Sequence, residues 1–343
     1  MKTRMPVRPT DLVIGVAILL AVVVATVALL RPGTFNDRAP AAPEESSAAA
    51  AEQQIDPALI CYEQAREIPV AMRKLRALAV GPDNRIYVGG DQVIHVLDSS
   101  GAKQSEITLD APPRCLAVGP ADHAFPGRLY VGMDDHVEVY GADGLREATW
   151  DALGEQALLT CIALAEEDVF VADAGNRIVL RHDPSGKLKN RIGAPDERRH
   201  IPGFAITSAY FDLAVCPDRL LRVVNPRALR IEAYAFDGDL ELYWGKPSAK
   251  PDGFFGCCNP VHVAVFPDGR FVTAEKGIPR VKIYSPEGEF KCVVAGPDQL
   301  AVGSEDVIAD MAIDGRGQVL VLAARAGGLQ VFRPKQTGNG AKP

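Results

Sequence analysis

The chain has little positive charge and few aromatic side chains for its length. Among its 343 residues, 37 are Lys or Arg and 44 are Asp or Glu, which gives a formal net charge of -7, and aromatic residues make up 6%. A protein that binds nucleic acid needs a basic surface for the phosphates, and a single-strand binder also interleaves aromatic side chains. The composition therefore predicts that this protein does not bind nucleic acid.

Sequence motifs of common enzyme classes are also missing. The chain contains no Gly-x-Ser-x-Gly, His-Glu-x-x-His or P-loop pattern, and its cysteines do not follow the Cys-x-x-Cys spacing of zinc sites. These absences favour a binding protein over an enzyme. They assign no catalytic residue and no residue that binds an organic cofactor.

One long apolar run stands near the N-terminus. The 19 residues from Leu12 to Leu30 contain no charge, and about 20 apolar residues span the hydrocarbon core of a bilayer. Lys2, Arg4 and Arg8 precede the run, which favours a cytoplasmic N-terminus. A cleaved signal peptide is the alternative, but its apolar region is usually about 7–15 residues long. We therefore predict a retained single-pass signal-anchor, with the following domain on the extracytoplasmic (periplasmic) side.

The rest of the chain divides by composition. Residues 31–56 are rich in Ala, Pro and Glu and have almost no apolar bulk, so they cannot bury a core and are predicted to be a disordered linker. Residues 335–343 are predicted to be a disordered tail for the same reason. Residues 57–334 are predicted to form one folded domain, and residues 1–11 to remain in the cytoplasm.

Six similar segments follow one another in the folded region. Each has an apolar triplet centred on an alanine, and these alanines are Ala79, Ala117, Ala163, Ala214, Ala264 and Ala312. They are 38, 46, 51, 50 and 48 residues apart, and a period of about 40–50 residues marks a propeller or solenoid array. Further short apolar runs and turns such as Asp143-Gly144 follow each triplet. Four antiparallel strands per unit are typical of a propeller blade.

The sixth unit ends after its third strand, at Phe332. The segment Leu59–Tyr62, just before the first unit, is the available replacement for the missing fourth strand. Using it closes the ring and removes a sheet edge that would otherwise promote aggregation. We therefore predict an all-β, six-bladed β-propeller whose last blade is completed by an N-terminal strand.

Three segments resemble NHL repeats. They are Val169–Gly193 (VFVADAGNRIVLRHDPSGKLKNRIG), Phe266–Arg270 (FPDGR) and Arg280–Gly288 (RVKIYSPEG). The resemblance covers about residues 57–334 and implies an NHL-like propeller. Because NHL propellers include protein-binding scaffolds, RNA binders, sensor domains, lyases and lactonases, the resemblance implies a blade type rather than an activity.

Aligning the repeats on their alanines compares positions at equal depth in the ring. Two residues before each alanine, on the same strand face, stand Ala77, Cys115, Cys161, Asp212, His262 and Asp310. Five of these six are possible metal ligands, and such residues are costly to bury unless they are paired or coordinated. One hypothesis is that these side chains bind a divalent transition metal in the central channel of the propeller, which the inner strands surround. The other is that this face packs between blades, with Asp and His bonded to neighbouring backbone.

The sequence matches the metal sites of NHL-type lyases and lactonases only in part. The resemblance to amidating lyases would imply several channel histidines, but only His262 stands at the start of an inner strand. The resemblance to lactonases would imply Glu, Asn and Asp around one metal. Asn259, Asp212 and Asp310 are compatible with that set, but no matching channel Glu is evident.

Two adjacent cysteines depart from the repeat just before the fifth inner strand. Cys257 and Cys258 lie in the segment Phe254–Pro260 (FFGCCNP), whose Gly, Asn and Pro predict a tight loop at the channel mouth. The pair could form a vicinal disulfide, bind a metal or cluster, or exchange thiols. Two unrelated packing cysteines are the simpler alternative. Cys61 and Cys292 fall on outer strands of neighbouring blades and are predicted to be structural.

These patterns predict a membrane-anchored extracytoplasmic propeller that binds or assembles a protein partner at the membrane. Charged residues such as Lys276 and Arg280 are predicted to flank a surface turn. The alternative is a metal- or thiol-dependent site at the channel mouth, in a lyase or hydrolase or in an accessory to an electron-transfer or metal-handling complex. The candidate ligands of that site are Cys257, Cys258, His262, Cys115, Cys161, Asp212 and Asp310.

Overall fold

The computed structural model describes residues 55–300, 308–323 and 328–336. They form six antiparallel sheets of four strands each. The predicted anchor at residues 12–30 lies outside the described residues, as do nearly all of the predicted linker and most of the predicted tail. No helix among the described residues is long and apolar enough to cross a membrane.

The six sheets follow one another along the chain, and within each sheet the strands run in order from the innermost to the outermost. Blade one contains β2 (Leu75–Val80), β3 (Ile86–Gly90), β4 (Val93–Leu97) and β5 (Lys103–Thr108). Blade two contains β6 (Cys115–Val118), β7 (Leu129–Gly132), β8 (Val137–Tyr140) and β9 (Arg146–Thr149). Blade three contains β10 (Leu159–Ala165), β11 (Asp168–Asp173), β12 (Ile178–His182) and β13 (Leu188–Ile192).

The remaining blades have the same plan. Blade four contains β14 (Leu213–Val215), β15 (Leu221–Asn225), β16 (Arg230–Tyr234) and β17 (Leu240–Trp244). Blade five contains β18 (His262–Val265), β19 (Phe271–Glu275), β20 (Arg280–Tyr284) and β21 (Phe290–Ala295). Blade six contains β22 (Ile308–Ile313), β23 (Val319–Ala323), β24 (Gly328–Pro334) and β1 (Tyr62–Pro69). Within the part of the chain that the structure describes, the helical segments are short: 3-10 turns at Pro57–Leu59 and Pro226–Ala228, and the α-helix α1 (Pro297–Leu300).

The innermost strands form a closed ring. Each of β2, β6, β10, β14 and β18 contacts the next inner strand, and β22 contacts β2. The six alanines that define the sequence repeat all lie on these strands. The all-β, six-bladed propeller predicted from the repeat is therefore confirmed.

The ring closes through the N-terminal strand. β1 pairs antiparallel with β24, with Tyr62 opposite Pro334, and Cys61 forms a disulfide with Cys292 next to it. The prediction that the last blade borrows an N-terminal strand is confirmed, but its bounds were wrong. Only Tyr62 of the predicted segment is in the strand, because a 3-10 turn precedes it and Ile60 bridges to β21 instead.

The apolar core lies between the blades. Within the described residues, each of six buried apolar clusters joins one sheet to the next; Ile94 and Leu129 belong to the cluster between blades one and two. Burial of apolar surface stabilises a fold by about 25 cal/mol per Å², so these contacts are the main stabilising term. Because both faces of each sheet are covered, the strands contain apolar residues on both faces, which explains the apolar triplets.

Tryptophans at the ends of two outer strands pack on the hairpin turn of the following blade. Gly186 and Gly288 have φ values of 93° and 84°, the left-handed region that favours glycine. A Cβ at Gly186 would lie 2.7 Å from the Trp150 ring, and a Cβ at Gly288 would lie 2.5 Å from the Trp244 ring. These turns therefore need glycine both for their backbone conformation and for contact with the neighbouring blade.

Candidate functional site

Five of the predicted site residues line one cavity at the centre of the propeller. The cavity has a volume of about 250 Å³ and is bordered by residues from all six inner strands. Its walls include Cys115, Cys161, Asp212, His262 and Asp310. The structure thus brings these five side chains together, each from near the start of a different inner strand.

Asp212 and Asp310 use their oxygens to join neighbouring blades. Asp212 accepts hydrogen bonds from the amide of the following residue (2.8 Å) and from the amide of Val263 in blade five (3.0 Å). Asp310 accepts in the same way from the following amide (2.7 Å) and from the amide of Leu78 in blade one (2.7 Å). Each carboxylate therefore ties its own inner strand to that of the next blade, through hydrogen bonds strengthened by charge.

The imidazole of His262 lies between these two carboxylates. Its Nδ1 is 3.1 Å from an Asp212 oxygen and 3.9 Å from an Asp310 oxygen, and its Nε2 is 3.1 Å from the carbonyl oxygen of Ile308. Both nitrogens face acceptors, so the imidazolium form satisfies both. Burial acts to lower the pKa of His262, but Asp212 and then Asp310 outweigh it and raise the pKa.

The carboxyl group of Asp310 completes this titratable cluster. Burial raises its pKa to about 7, while the charge of His262 opposes that shift and the charge of Asp212 adds to it. The two backbone amides that bond to Asp310 favour its ionised form but do not outweigh burial. Asp310 therefore exchanges its proton near neutral pH.

The two cysteines of the channel, Cys115 and Cys161, serve as packing groups. Cys161 Sγ lies 3.4 Å from the carbonyl oxygen of Leu213, to which it donates, and Cys115 is buried among apolar residues. Burial raises the pKa of both thiols well above their usual range, and the charge of Asp212 adds to the effect. Because the thiolate is the nucleophile and the metal ligand, both groups are held in their unreactive form.

The predicted set of seven ligands divides into two groups. Five line the channel, whereas Cys257 and Cys258 do not contribute to the cavity wall. Among the residues that the structure describes, no group of three or more His, Cys, Asp or Glu side chains is arranged to hold a metal ion. In the channel, the carboxylates of Asp212 and Asp310 and the imidazole of His262 instead bond to protein groups.

The loop from β17 to β18, residues 245–261, carries the adjacent cysteines and is termed the rim loop. Cys257 is exposed and Cys258 is buried, and their sulfurs lie 2.7 Å apart without a disulfide bond. Cys258 Sγ is also 3.1 Å from the hydroxyl oxygen of Thr207, in the segment before β14. Cys258 has a φ of 69°, a left-handed conformation that is uncommon for a residue with a side chain.

The surroundings of Cys258 favour its thiolate. Burial acts to raise its pKa, but the hydrogen bonds from Cys257 and Thr207 and the positive charges of Lys276 and Arg227 outweigh burial and lower the pKa. The same hydrogen bond raises the pKa of Cys257, which donates to its neighbour. The two sulfurs therefore share one proton. The pair loses its other proton, and so becomes negatively charged, more readily than two isolated thiols would.

A buried triad of charges lies beneath the rim loop: Glu275, Arg280 and Lys282, all 1% exposed or less. One Glu275 oxygen is 2.8 Å from Arg280 Nε and 2.8 Å from Lys282 Nζ. Burial lowers the pKa of Lys282 to about 8, against the opposing charge of Glu275. Arg280 does flank a turn, at residues 276–279, but its side chain is buried and not on the surface, because Arg280 begins β20 and lies opposite Glu275 on β19.

The buried triad fixes the backbone of the rim loop. Its cations donate to the carbonyl oxygens of Ala249 (2.7 Å) and Gly253 (2.6 Å), and its carboxylate accepts from the amide of Phe255 (2.9 Å). Asn259 adds a second anchor, since it donates to the carbonyl oxygens of Phe255 (2.6 Å) and Lys276 (2.9 Å). The loop is therefore held by specific bonds along most of its length.

Sequence reasoning missed the buried triad, although a signal for it was present. Arg280 and Lys282 stand at alternate positions of a strand, and Glu275 closes the strand before it. Alternation places both cations on one face, and a hairpin brings an opposite charge to that face. The pattern was obscured by the nearby Gly277, which indicated a turn.

The exposed part of the rim loop meets a positively charged surface. Phe255 is 39% exposed, and Arg227 is exposed as well. The ammonium group of Lys276 lies 4.5 Å from the centre of the Tyr210 ring, a cation-π contact. The rings of Tyr210 and His262 in turn are nearly perpendicular, with centres 6.5 Å apart. Tyr210 therefore links this surface to the channel.

Comparison with known proteins identifies the fold. No protein-family profile and no curated protein matches the chain. A structure of a streptogramin B lyase is similar, with 13% identity, 82% of this chain and all of that chain covered, and a TM-score of 0.55. A catalytically inactive histidine-to-alanine variant of virginiamycin B lyase from Staphylococcus aureus, solved with quinupristin, has 14% identity, 78% and 83% coverage and a TM-score of 0.55. The selenomethionine-substituted form of the latter enzyme has a TM-score of 0.53. At these identities the likeness shows the propeller fold alone.

Proposed function

We propose that this protein is a membrane-anchored, extracytoplasmic NHL-like propeller that binds a protein partner at the membrane. Its working surface is the rim loop with the adjoining positive residues Lys276 and Arg227. The observation that carries this proposal is the buried triad, which uses three charged side chains to hold an exposed loop in one conformation. A preorganised loop loses little conformational entropy when it binds.

The chemistry of the surface indicates the kind of partner. Phe255 offers an exposed aromatic ring, and exposed aromatic side chains are frequent anchors in protein interfaces. Lys276 and Arg227 surround the loop with positive charge, and their effect reaches the sulfur of Cys258. Complementary charge speeds encounter and fixes register. The partner is therefore expected to present an acidic surface with an apolar pocket.

Two features support the membrane location. The apolar run Leu12–Leu30 has the length of a membrane span, and basic residues precede it. The disulfide between Cys61 and Cys292 fits an extracytoplasmic domain, since disulfides persist mainly in oxidising compartments.

The membrane location is tested by extraction of membranes at alkaline pH. The full chain is expected to stay with the membrane, and a chain lacking residues 1–30 is not. Release of the full chain would refute anchoring by this run.

The docking proposal is tested by the size of the complex extracted in mild detergent. The full-length protein is expected to migrate as a complex larger than its own mass. Phe255→Asp and Lys276→Glu are expected to reduce it to the size of the isolated protein. Leu145→Asp changes an apolar residue that is 68% exposed on blade two and serves as the matched control. Equal loss of the complex in all three variants, or in none, would refute docking at the rim loop.

A second candidate function is favoured by the contact between Cys257 and Cys258. A thiol-dependent site at the rim would suit an accessory of an electron-transfer or metal-handling complex. The likeness to streptogramin B and virginiamycin B lyases also admits a lyase or hydrolase on this scaffold. In this second candidate function, the channel residues would hold a divalent transition metal.

A further inference from the structure

The two sulfurs of the rim loop are close to bonding distance. They lie 2.7 Å apart, whereas a disulfide bond is about 2.05 Å long. The two sulfurs are therefore already in contact before any bond forms. Consecutive Cα atoms are about 3.8 Å apart, below the range of about 4.4–6.8 Å in ordinary disulfides, so the bond between neighbours is strained and easily reduced. Strained and exposed disulfides are the catalytic and labile ones.

The remaining free cysteines have different surroundings. Apart from this pair, Cys115, Cys161 and Cys216 are free among the described residues, and burial raises the pKa of each. Cys257, by contrast, is exposed to an incoming molecule. The structure therefore sets apart one accessible thiol with a second thiol directly behind it.

We propose that Cys257 and Cys258 form an exchange pair: the dithiol is oxidised by a disulfide substrate present in excess, and the strained vicinal disulfide that results is reduced again by a second dithiol. This inference rests on the second candidate function and is independent of partner docking. Lys276 and Arg227 favour a substrate whose groups next to the disulfide are anionic. Their positive charge also stabilises the thiolates that leave during the reaction.

The exchange balances in two steps. The shared proton moves to Cys258 as the Cys257 sulfur attacks one substrate sulfur, which forms a mixed disulfide and expels the other substrate sulfur as a thiolate. That thiolate takes the proton from Cys258, whose sulfur then attacks Cys257 and expels the second substrate sulfur. One dithiol is oxidised and one disulfide is reduced to two thiols, and reduction of the vicinal disulfide by a second dithiol runs through the same steps in reverse.

Thr207 has a positioning role in this scheme. Its hydroxyl lies 3.1 Å from Cys258 Sγ and holds this sulfur behind Cys257. A sulfur in a disulfide is a weaker hydrogen-bond partner than a thiolate. Oxidation is therefore expected to weaken this link between the segment before β14 and the rim loop.

The experiment uses the full-length protein after mild reduction that leaves the Cys61–Cys292 disulfide intact, with excess oxidised glutathione as an anionic probe. Wild type is expected to release two glutathione thiols per chain and to lose two hydrogen atoms by intact mass, with no lasting adduct. Cys258→Ser is expected to accumulate the mixed disulfide at Cys257, because the second thiol is gone. Cys257→Ser is expected to react many times more slowly, because the remaining thiol is buried. Cys216→Ala serves as the control and behaves as wild type.

A charge test separates substrate selection from general reactivity. Lys276→Gln is expected to slow the reaction with oxidised glutathione several-fold more than the reaction with neutral hydroxyethyl disulfide. The proposal is overturned if wild type releases no more glutathione thiol than the Cys257→Ser, Cys258→Ser double variant, or if Cys258→Ser forms no adduct. That failure would leave partner docking intact, since docking is read from the size of the complex and not from thiol release.

Discussion

The carboxylate of Glu275 and the ammonium group of Lys282 lie 2.8 Å apart inside blade five, where neither side chain is exposed to solvent. Removing the carboxylate would leave Lys282 and Arg280 buried without a counter-charge. Loss of one partner of a buried ion pair costs about 3–5 kcal/mol. We expect Glu275→Gln to lower the free energy of unfolding by an amount near this range, as measured by urea denaturation.

A matched exposed pair provides the control for this prediction. Glu289 and Lys291 lie 3.0 Å apart with both side chains largely exposed. Exposed pairs are worth about 0–1 kcal/mol, so Glu289→Gln is expected to change stability little. Limited proteolysis is expected to cut the rim loop in Glu275→Gln and not in Glu289→Gln. Equal stability and equal cleavage of the two variants would refute the role of the buried triad.

The pH dependence of stability is expected to reflect Asp310. A free aspartate ionises near pH 4, and burial raises the pKa of Asp310 to about 7 in the folded protein. Between these values the folded state holds a proton that the unfolded state has lost, so Asp310 makes stability fall as pH rises from about 4 to about 7. Asp310→Asn is expected to flatten this part of the profile in denaturation series at fixed pH. An unchanged slope in the variant would show that Asp310 does not titrate in this range.

The disulfide between Cys61 and Cys292 is expected to hold the ring closed. It joins the residue before β1 to the outer strand of blade five, 231 residues away in sequence. Removing a native disulfide typically costs about 2–5 kcal/mol. The Cys61→Ala, Cys292→Ala double variant is therefore expected to unfold at lower denaturant concentration than wild type. The buried Cys216→Ala provides a control that keeps the disulfide, and a smaller loss in the double variant than in this control would count against the prediction.

The purified protein is expected to bind metal well below one equivalent per chain. In the channel, Asp212 and Asp310 bond to backbone amides and His262 bonds to Asp212 and to a carbonyl oxygen. Elemental analysis of the full chain, purified without chelator, measures this directly. A stoichiometric metal that disappears in Asp212→Asn or in the Cys257→Ser, Cys258→Ser double variant would instead establish the metal site.

The repeat made the fold predictable from the sequence, and the same regularity explains what could not be predicted. Alanines at equal depth, such as Ala79 and Ala264, reveal the inner strands because every blade buries the same face. The alignment also placed Asp212 and His262 at one depth. It could not show that their polar atoms bond to neighbouring blades, because those partners include backbone groups of adjacent strands.

The conformation of the rim loop could not be predicted from the repeat, for a related reason. Its conformation depends on side chains of blade five that bond to single carbonyl oxygens, such as those of Ala249 and Gly253. No periodicity encodes such contacts. The sequence did indicate that Cys257 and Cys258 depart from the repeat. The distance between their sulfurs and the exposure of only one of them required the structure.

Docking at the rim loop is tested most directly by the alkylation rate of Cys257 in native membranes compared with the purified full-length protein, after mild reduction of both. A bound partner would cover the rim loop, so Cys257 is predicted to react more slowly in membranes and to recover its rate on purification. A cysteine introduced by Leu145→Cys on blade two is predicted to react at the same rate in both settings. Equal rates for Cys257 in membranes and in the purified protein would contradict the claim that the rim loop is the surface that meets a partner.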